Sequence, residues 1–483
     1  MNSNYNNQKN NTTNITTVQS NSVATMDSSN ITLKDLDNFY LGVIEGFFGE
    51  PWNKEQRLDF IKWAANNNLK FFIYCPKNDP ALRRLWKDDY SKEWVDYILE
   101  LSNTCKEYNI DFGIGFTPLE ATKDLDLNLP LIKSKISFLL KTFSPKILAI
   151  LFDDLKIDNN DEGIKQNLVL KEILSEVSAF ENEQKNNSSF NIKIITCPSY
   201  YTTDPILEKV FGPMPSNYHK DFLKDLPEYV NVFWTGYKVM SDNYSIDDLE
   251  YATKILGKKP FIWDNYPVND GKKSSNYLNI KPFTNRENTI FYTSGLAINP
   301  MKQIELSKLP ISTFLSSIID KTNNIQKDSN SNNSCQYCIS QTKNCCCFPF
   351  SLLENYTFAS LIEDITKSYN LEECKLSALK NSYLDKKDLK YFFLKYTSTL
   401  ADINLDDITQ NQKNEIILCI NEIADTYLNI MNEINVNKES VDLKTHEENS
   451  ILADKFTFIL NIQNEIVKYL NGEYVFDPNC LTG

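Results

Sequence analysis

The sequence predicts an α/β protein: a (β/α)8 TIM-type barrel followed by a C-terminal all-α helical domain, with a disordered N-terminal tail. Eight short apolar runs rich in β-branched and aromatic residues recur between residues 38 and 295, with helical patterns between them. The runs are continuously apolar rather than alternating, as parallel strands buried on both faces require. Beyond residue 350 the chain becomes poor in Gly and Pro and repeats Leu, Ile and Phe at three- and four-residue spacing, the pattern of a bundle face. Eight strands with seven or eight helices in about 280 residues is barrel arithmetic. An open doubly wound sheet gives the same alternation, but no G-x-G-x-x-G or G-x-x-x-x-G-K-[ST] element supports it.

Taken in chain order, nine of the first thirty residues are Asn, mixed with Ser and Thr. Such a tract buries too little apolar surface to offset its ordering entropy, so residues 1–35 read as a disordered tail. The barrel is assigned to 36–320. Its strands are expected at NFYLGVIEG (38–46), NLKFFIY (68–74), NIDFGIGF (109–116), PKILAILF (145–152), NIKIITC (191–197), VNVFWTG (230–236), KPFIWDN (259–265) and NTIFYTSG (288–295). Asn53, with Gln56 three residues on, is placed to cap the helix KEQRLDFIKWAANN, and another helix runs from about Asp161 through LVLKEILSEVSAF. A polar, Cys-containing linker occupies 321–349. The helical domain, 350–483, has helices at about 350–369, 386–403, 412–435 and 448–471 and reads as a packing or dimerising unit.

Composition narrows the chemistry. The 483 residues hold 41% hydrophobic side chains, enough for a large core, and a net charge of −14. That balance argues against a nucleic-acid or anionic-membrane partner, which needs a surplus of cations. Only two histidines occur, His219 and His446, so a three-histidine zinc site is impossible; both read as solvated surface residues. Eleven cysteines without a framework pattern, no apolar signal segment at MNSNYNNQKN and no run long enough to span a membrane predict a cytoplasmic or nuclear protein. Cys335, Cys338, Cys345, Cys346 and Cys347 could offer thiolates to zinc, but they lack a paired C-x-x-C and sit in low-complexity sequence, so they are expected to be simple reduced thiols or lipidated cysteines.

In a parallel barrel, functional groups gather at the C-terminal ends of the strands. Those ends carry Glu45-Gly46-Phe47-Phe48-Gly49, Lys77 with Asp79, Asp153-Asp154, Tyr200-Tyr201, Trp234-Thr235-Gly236, Trp263-Asp264-Asn265 with Asn269-Asp270, and Asn299. Asp-Asp pairs also occur at 88–89, 247–248 and 406–407, but only 153–154 directly follows a run as apolar as ILAILF. Adjacent carboxylates at a buried strand end repel, so one holds its proton while the other stays ionised. That split supplies an acid and a base, as hydrolysis of an acetal or glycoside demands. The alternative is one Asp capping the next helix with the other solvated. Tyr201, Trp234, Trp263 and Phe47 offer walls for the apolar faces of a sugar, and Lys77, Asn265, Asp270 and Asn299 offer hydrogen bonds to its hydroxyls. For any single aromatic, core packing remains the competing account.

The motifs GVIEGFFGEPW (42–52), YCPKNDP (74–80), ILFDD (150–154), CPSYY (197–201), WTGYKVMS (234–241), FIWDNYPVND (261–270) and GLAINP (295–300) together resemble glycoside hydrolase family 84, the family of O-GlcNAcases and related bacterial β-N-acetylglucosaminidases. The resemblance implies a retaining mechanism in which the substrate's own 2-acetamido group is the nucleophile and an oxazoline is the intermediate. It implies that Asp153 orients and deprotonates the acetamido nitrogen and that Asp154 is the general acid and then the base. It further implies that Tyr201 supports the acetamido pocket, that Trp263 walls it, and that Gly46, Lys77, Asn265, Asp270 and Asn299 hold the sugar. No metal or organic cofactor is implied. O-GlcNAc-modified intracellular proteins would be the substrates, and the C-terminal helices would form a homodimer. The sequence departs from the family in having Phe48 where Tyr is common, Tyr200 for a frequent Glu, and Tyr266-Pro267-Val268 before Asn269-Asp270. Two alternatives stay open: a β-N-acetylhexosaminidase acting on free glycans or hyaluronan-like substrates, and a non-catalytic glycan-binding scaffold.

Overall fold

A computed structural model describes residues 33–184 except 156 and 158, residues 191–315 with 318, and thereafter residues 400, 404–418, 420–421, 457, 460–474 and 480. The tail at 1–32, the linker with its cysteine cluster, His446, the helix expected at 350–369, and nearly all of that at 386–403 lie outside the described residues. Helix α1 (Leu33–Asn38) begins inside the segment read as tail.

The strands are β1 (Leu41–Ile44), β2 (Phe71–Tyr74), β3 (Asp111–Phe116), β4 (Ile147–Leu151), β5 (Lys193–Cys197), β6 (Asn231–Trp234), β7 (Phe261–Asp264) and β8 (Gly295–Ile298). They pair in parallel in sequence order and close, with Leu41 beside Leu296 joining the first strand to the last. This is the closed barrel, not the open sheet. The first seven strands fall inside the expected runs. The eighth does not: 288–295 was expected to be a strand, but Thr289–Tyr292 forms the short helix α9 and the strand begins at Gly295. TIFY has strand-like composition, but Thr289 Oγ1 donates back to the Arg286 carbonyl and Thr293 Oγ1 to that of Thr289, which stabilises a helical turn.

Between the strands run α2 (Lys54–Asn66), α3 (Lys92–Glu107), α4 (Leu125–Phe143), α5 (Glu162–Glu183), α6 (Ile206–Phe211), α7 (Tyr218–Phe222) and α8 (Ile246–Leu256); α10 (Ile304–Ser312) follows β8. The Asn53–Gln56 capping box forms in both directions, with bonds of 2.9 and 2.8 Å. At the N-terminal rim, Tyr40 stacks on Phe71 at 4.8 Å, Phe71 meets Phe261 at 6.0 Å, and the Tyr40 hydroxyl donates to Asp111 at 2.8 Å. This aromatic plug fills the barrel where the strands begin. The other end is left for chemistry.

Residues 410–418, 420–421 and 460–470 are helical; the first stretch starts two residues before the helix expected at 412–435, and the last falls within that expected at 448–471. Ile420, Ile462, Ile466, Tyr469 and Leu470 form one apolar cluster with Leu278 and Ile280, beyond β7, and with Met301, Leu306 and Leu309, beyond β8. The C-terminal helices thus pack behind two strand-end loops of the barrel.

Candidate active site

At the C-terminal rim a cup with about 500 Å3 of empty space, counting its open mouth, is lined by Gly46, Lys77, Asp153, Asp154, Tyr201, Trp263, Asn265, Asp270 and Asn299. All nine residues singled out from the sequence meet there. Phe48, Cys197, Thr235, Val239, Met240, Val268 and Cys480 complete the wall.

The end of β4 is fixed from behind. The Phe152 N–H donates to the Cys197 carbonyl at 2.9 Å, and Ser199 Oγ donates to the Phe152 carbonyl at 2.6 Å. Gln166 Nε2 donates to Ser199 Oγ, and the Tyr218 hydroxyl donates to Gln166 Oε1 at 2.6 Å. This buried chain ties α5 and α7 to the strand that presents Asp153 and Asp154. Asp154 adopts a left-handed backbone (φ 57°), a conformation Asp tolerates better than most residues and one often found at functional sites.

Lys77, buried at the end of β2, forms an ion pair with Asp153 Oδ2 and lies 3.6 Å from Asp154 Oδ2. Its ammonium sits 5.5 Å from the ring centres of both Phe48 and Trp263. Burial pulls the Lys77 ammonium down, but the charges of Asp153 and Asp154 outweigh it and hold its pKa above the usual lysine value. Burial pushes the Asp154 carboxyl up. Lys77 and Arg83 oppose that rise, the charge of Asp153 adds to it, and the Tyr201 hydroxyl, donating to Asp154 Oδ1 at 3.2 Å, tempers it. Asp153 Oδ1 is buried with no hydrogen-bond partner among the described residues. A carboxylate oxygen in that state is costly unless a ligand donor satisfies it.

The opposite wall is a polar lattice. The Gly46 N–H donates to Asn299 Oδ1 at 3.2 Å, and Asn299 Nδ2 donates to Asn265 Oδ1 at 3.0 Å. Trp263 Nε1 donates to the same Asn265 oxygen at 2.9 Å, while Asn265 Nδ2 donates to the Val239 carbonyl. Gly46 lets the indole lie against its backbone: a Cβ there would fall 2.8 Å from Trp263 Cη2 and closer still to Cζ2. Asp270 accepts from the Phe48 N–H at 2.7 Å. Burial, opposed by that bond and reinforced by the charge of Asp154, pushes its carboxyl up to about 6.

Several strand-end residues named from the sequence do not reach the cup. Glu45 is fully buried and holds Arg57 through two bonds of 2.7 Å. Asp264 does the same with Arg286, at 3.0 and 3.1 Å. Asp79 accepts from the Tyr74 hydroxyl, Trp94 Nε1 and the Ala81 N–H, stitching its own loop. Phe47 packs on Trp52 in the core, and Trp234 packs with Val232, Ala252 and Leu256; neither is a sugar wall, and Phe48 takes the place expected of Phe47. Tyr200 turns its hydroxyl to the Gly212 carbonyl. His219, read as solvated, is half-buried against Trp234 with Nε2 2.7 Å from the Tyr200 carbonyl, and burial lowers its pKa. Of the wall residues missed, Cys197 carries a positional signal at the end of β5, whereas Cys480 carries none.

Comparison with known proteins agrees with this geometry. The family model for β-N-acetylglucosaminidase matches residues 41–348. The protein O-GlcNAcases of Rattus norvegicus and Mus musculus are each 28% identical over 292 residues, covering 60% of this chain and 31% of theirs. The match thus spans about a third of the length of those relatives. The fold of the Thermobaculum terrenum O-GlcNAc hydrolase superposes with a TM-score of 0.51 at 22% identity, over 90% of this chain and 94% of that one. With a closed parallel barrel, a carboxylate-lined cup at its C-terminal rim and a family match over most of its length, the chain belongs to the β-N-acetylglucosaminidase family, glycoside hydrolase family 84.

Proposed function

We propose that this protein hydrolyses β-linked N-acetylglucosamine from Ser or Thr of intracellular proteins, with retention, through the substrate's own acetamido group. The acetamido carbonyl oxygen attacks the anomeric carbon as the bond to the Ser or Thr oxygen breaks. Asp153 takes the acetamido N–H proton, and Asp154 gives its proton to the departing oxygen. A water, deprotonated by Asp154, then opens the oxazoline, and Asp153 returns its proton to the nitrogen. Tyr201 and Trp263 bound the acetamido pocket, Lys77 balances the charge of the aspartate pair, and Gly46, Asn265, Asp270 and Asn299 hold the ring.

The observation that carries this reading is the buried, unpartnered Asp153 Oδ1 beside an Asp154 whose carboxyl is pushed up by burial. Asp153 Oδ1 can accept an acetamido N–H, while Asp154 favours its proton, as a general acid must. The protein substrates rest on the O-GlcNAcase relatives, and the cytoplasmic or nuclear setting rests on eleven cysteines that follow no disulfide framework pattern.

The test is release of N-acetylglucosamine from a modified Ser peptide by the wild type and by Asp154→Ala, with the N-acetylgalactosamine peptide as control. Release by the wild type, its loss in the variant and discrimination against the control are expected. No release by the wild type sinks the proposal.

A further inference from the structure

The far end of the chain reaches the cup. Cys480 lines the same cavity as Asp153, Asp154 and Asp270, is 7% exposed and is not in a disulfide. A separate feature of that cavity points to a ligand: Asp153 is 5% exposed, and its Oδ1 has no hydrogen-bond partner among the described residues.

The helix at 460–470, which precedes Cys480, is anchored to the barrel in two ways. Glu465 accepts from the Leu306 N–H at 2.9 Å, so a carboxyl group from this later helix caps the start of α10, where Gln303 supplies no side-chain cap. Ile466, Tyr469 and Leu470 pack on Leu278 and Met301, which lie just beyond Asp270 and Asn299 in sequence. The helix at 460–470 is therefore held against the two loops that carry cup residues from β7 and β8.

We propose that Cys480 is a specificity-determining wall of the sugar cup, a small, soft side chain lent by the C-terminal segment that touches the bound N-acetylhexosaminide. The inference rests on the cup being a hexosaminidase site. A thiol is compact and weakly polar, so its contribution is shape rather than hydrogen bonding. A bulky side chain at this position takes its volume from the ligand.

Cys480→Trp should therefore raise KM for an aryl N-acetylglucosaminide by about tenfold or more while changing kcat less, with circular dichroism and Tm like the wild type. A KM equal to that of the wild type overturns the proposal. Should the variant not fold, the wild type answers alone. Cys480 is modified with methyl methanethiosulfonate and followed by peptide mass spectrometry, with and without N-acetylglucosamine. Sugar at about ten times its Kd should slow the modification about tenfold, since only the unoccupied fraction reacts. A rate unchanged by the sugar, or no modification at all, overturns the proposal. If the wild type turns over the glycoside but Cys480 ignores the sugar, the wall fails and the hydrolase reading stands. If the sugar protects Cys480 but nothing is hydrolysed, the reverse holds.

Discussion

Gly46→Ala inserts one methyl group where the cup has no room for it. The new Cβ would lie 2.8 Å from Trp263 Cη2, nearer still to Cζ2, and 3.5 Å from Asn299 Oδ1. The indole must tilt or the β1 loop must retreat, and either motion strains the bonds joining Gly46, Asn299, Asn265 and Trp263. Overpacking of this kind costs about 1–3 kcal/mol. If the whole cost falls on the transition state, kcat/KM drops about fivefold to 150-fold. The assay is steady-state hydrolysis of an aryl N-acetylglucosaminide, run beside a denaturant titration to separate lost stability from lost fit. Trp263→Phe supplies the control, because a phenyl ring lacks the benzo edge that the methyl group strikes. The Gly46→Ala penalty should shrink in that background by a coupling of about 0.5–3 kcal/mol. Unaltered kinetics for Gly46→Ala, or strict additivity of the two substitutions, would refute the packing argument.

Asp153→Asn should cut turnover of the same glycoside by about 10²–10⁴, the usual worth of a positioned proton acceptor; wild-type turnover would remove Asp153 from the acetamido role. Asp154→Ala should slow substrates with poor leaving groups far more than activated phenols, since only the former need a proton, and equal losses would contradict its assignment as the acid. Asp270 titrates near 6 rather than at 3.8, so a sugar held by its ionised form should see kcat/KM fall as pH drops below about 6. The sign for stability is opposite to that of an ordinary carboxylate: its contribution is present in full below 3.8 and is lost as pH rises through about 6. Asp270→Asn should erase both effects, and a low-pH limb that survives the substitution would place the titration elsewhere. Arg57→Ala leaves the fully buried Glu45 unpaired and should cost about 3–5 kcal/mol by denaturant titration, with an unchanged midpoint as the contrary result.

The barrel and the rim position of its strand-end residues were legible in the sequence for one physical reason, whereas the choice of nine among them rested on the family resemblance of the motifs. In a closed parallel barrel every strand points the same way, so a residue's place at the end of an apolar run already assigns it to the rim. The capping box at Asn53 was legible for a similar reason, because its partners are three residues apart. What local pattern could not decide was which strand-end acids stay available. Glu45 and Asp264 stand at strand ends as Asp153 does, but Arg57 and Arg286 fold back to neutralise them, whereas Asp153 shares its lysine and keeps one oxygen without a partner among the described residues. Nor could it decide between Phe47 and Phe48, neighbours whose side chains serve the core and the cup. The eighth strand slipped because TIFY suits a strand by composition and a helical turn by its threonine bonds. Cys480 was invisible altogether: the other residues of the cup lie in or after seven of the eight strands, and only the folding of distant segments onto one another brings a residue from so far along the chain to the cup.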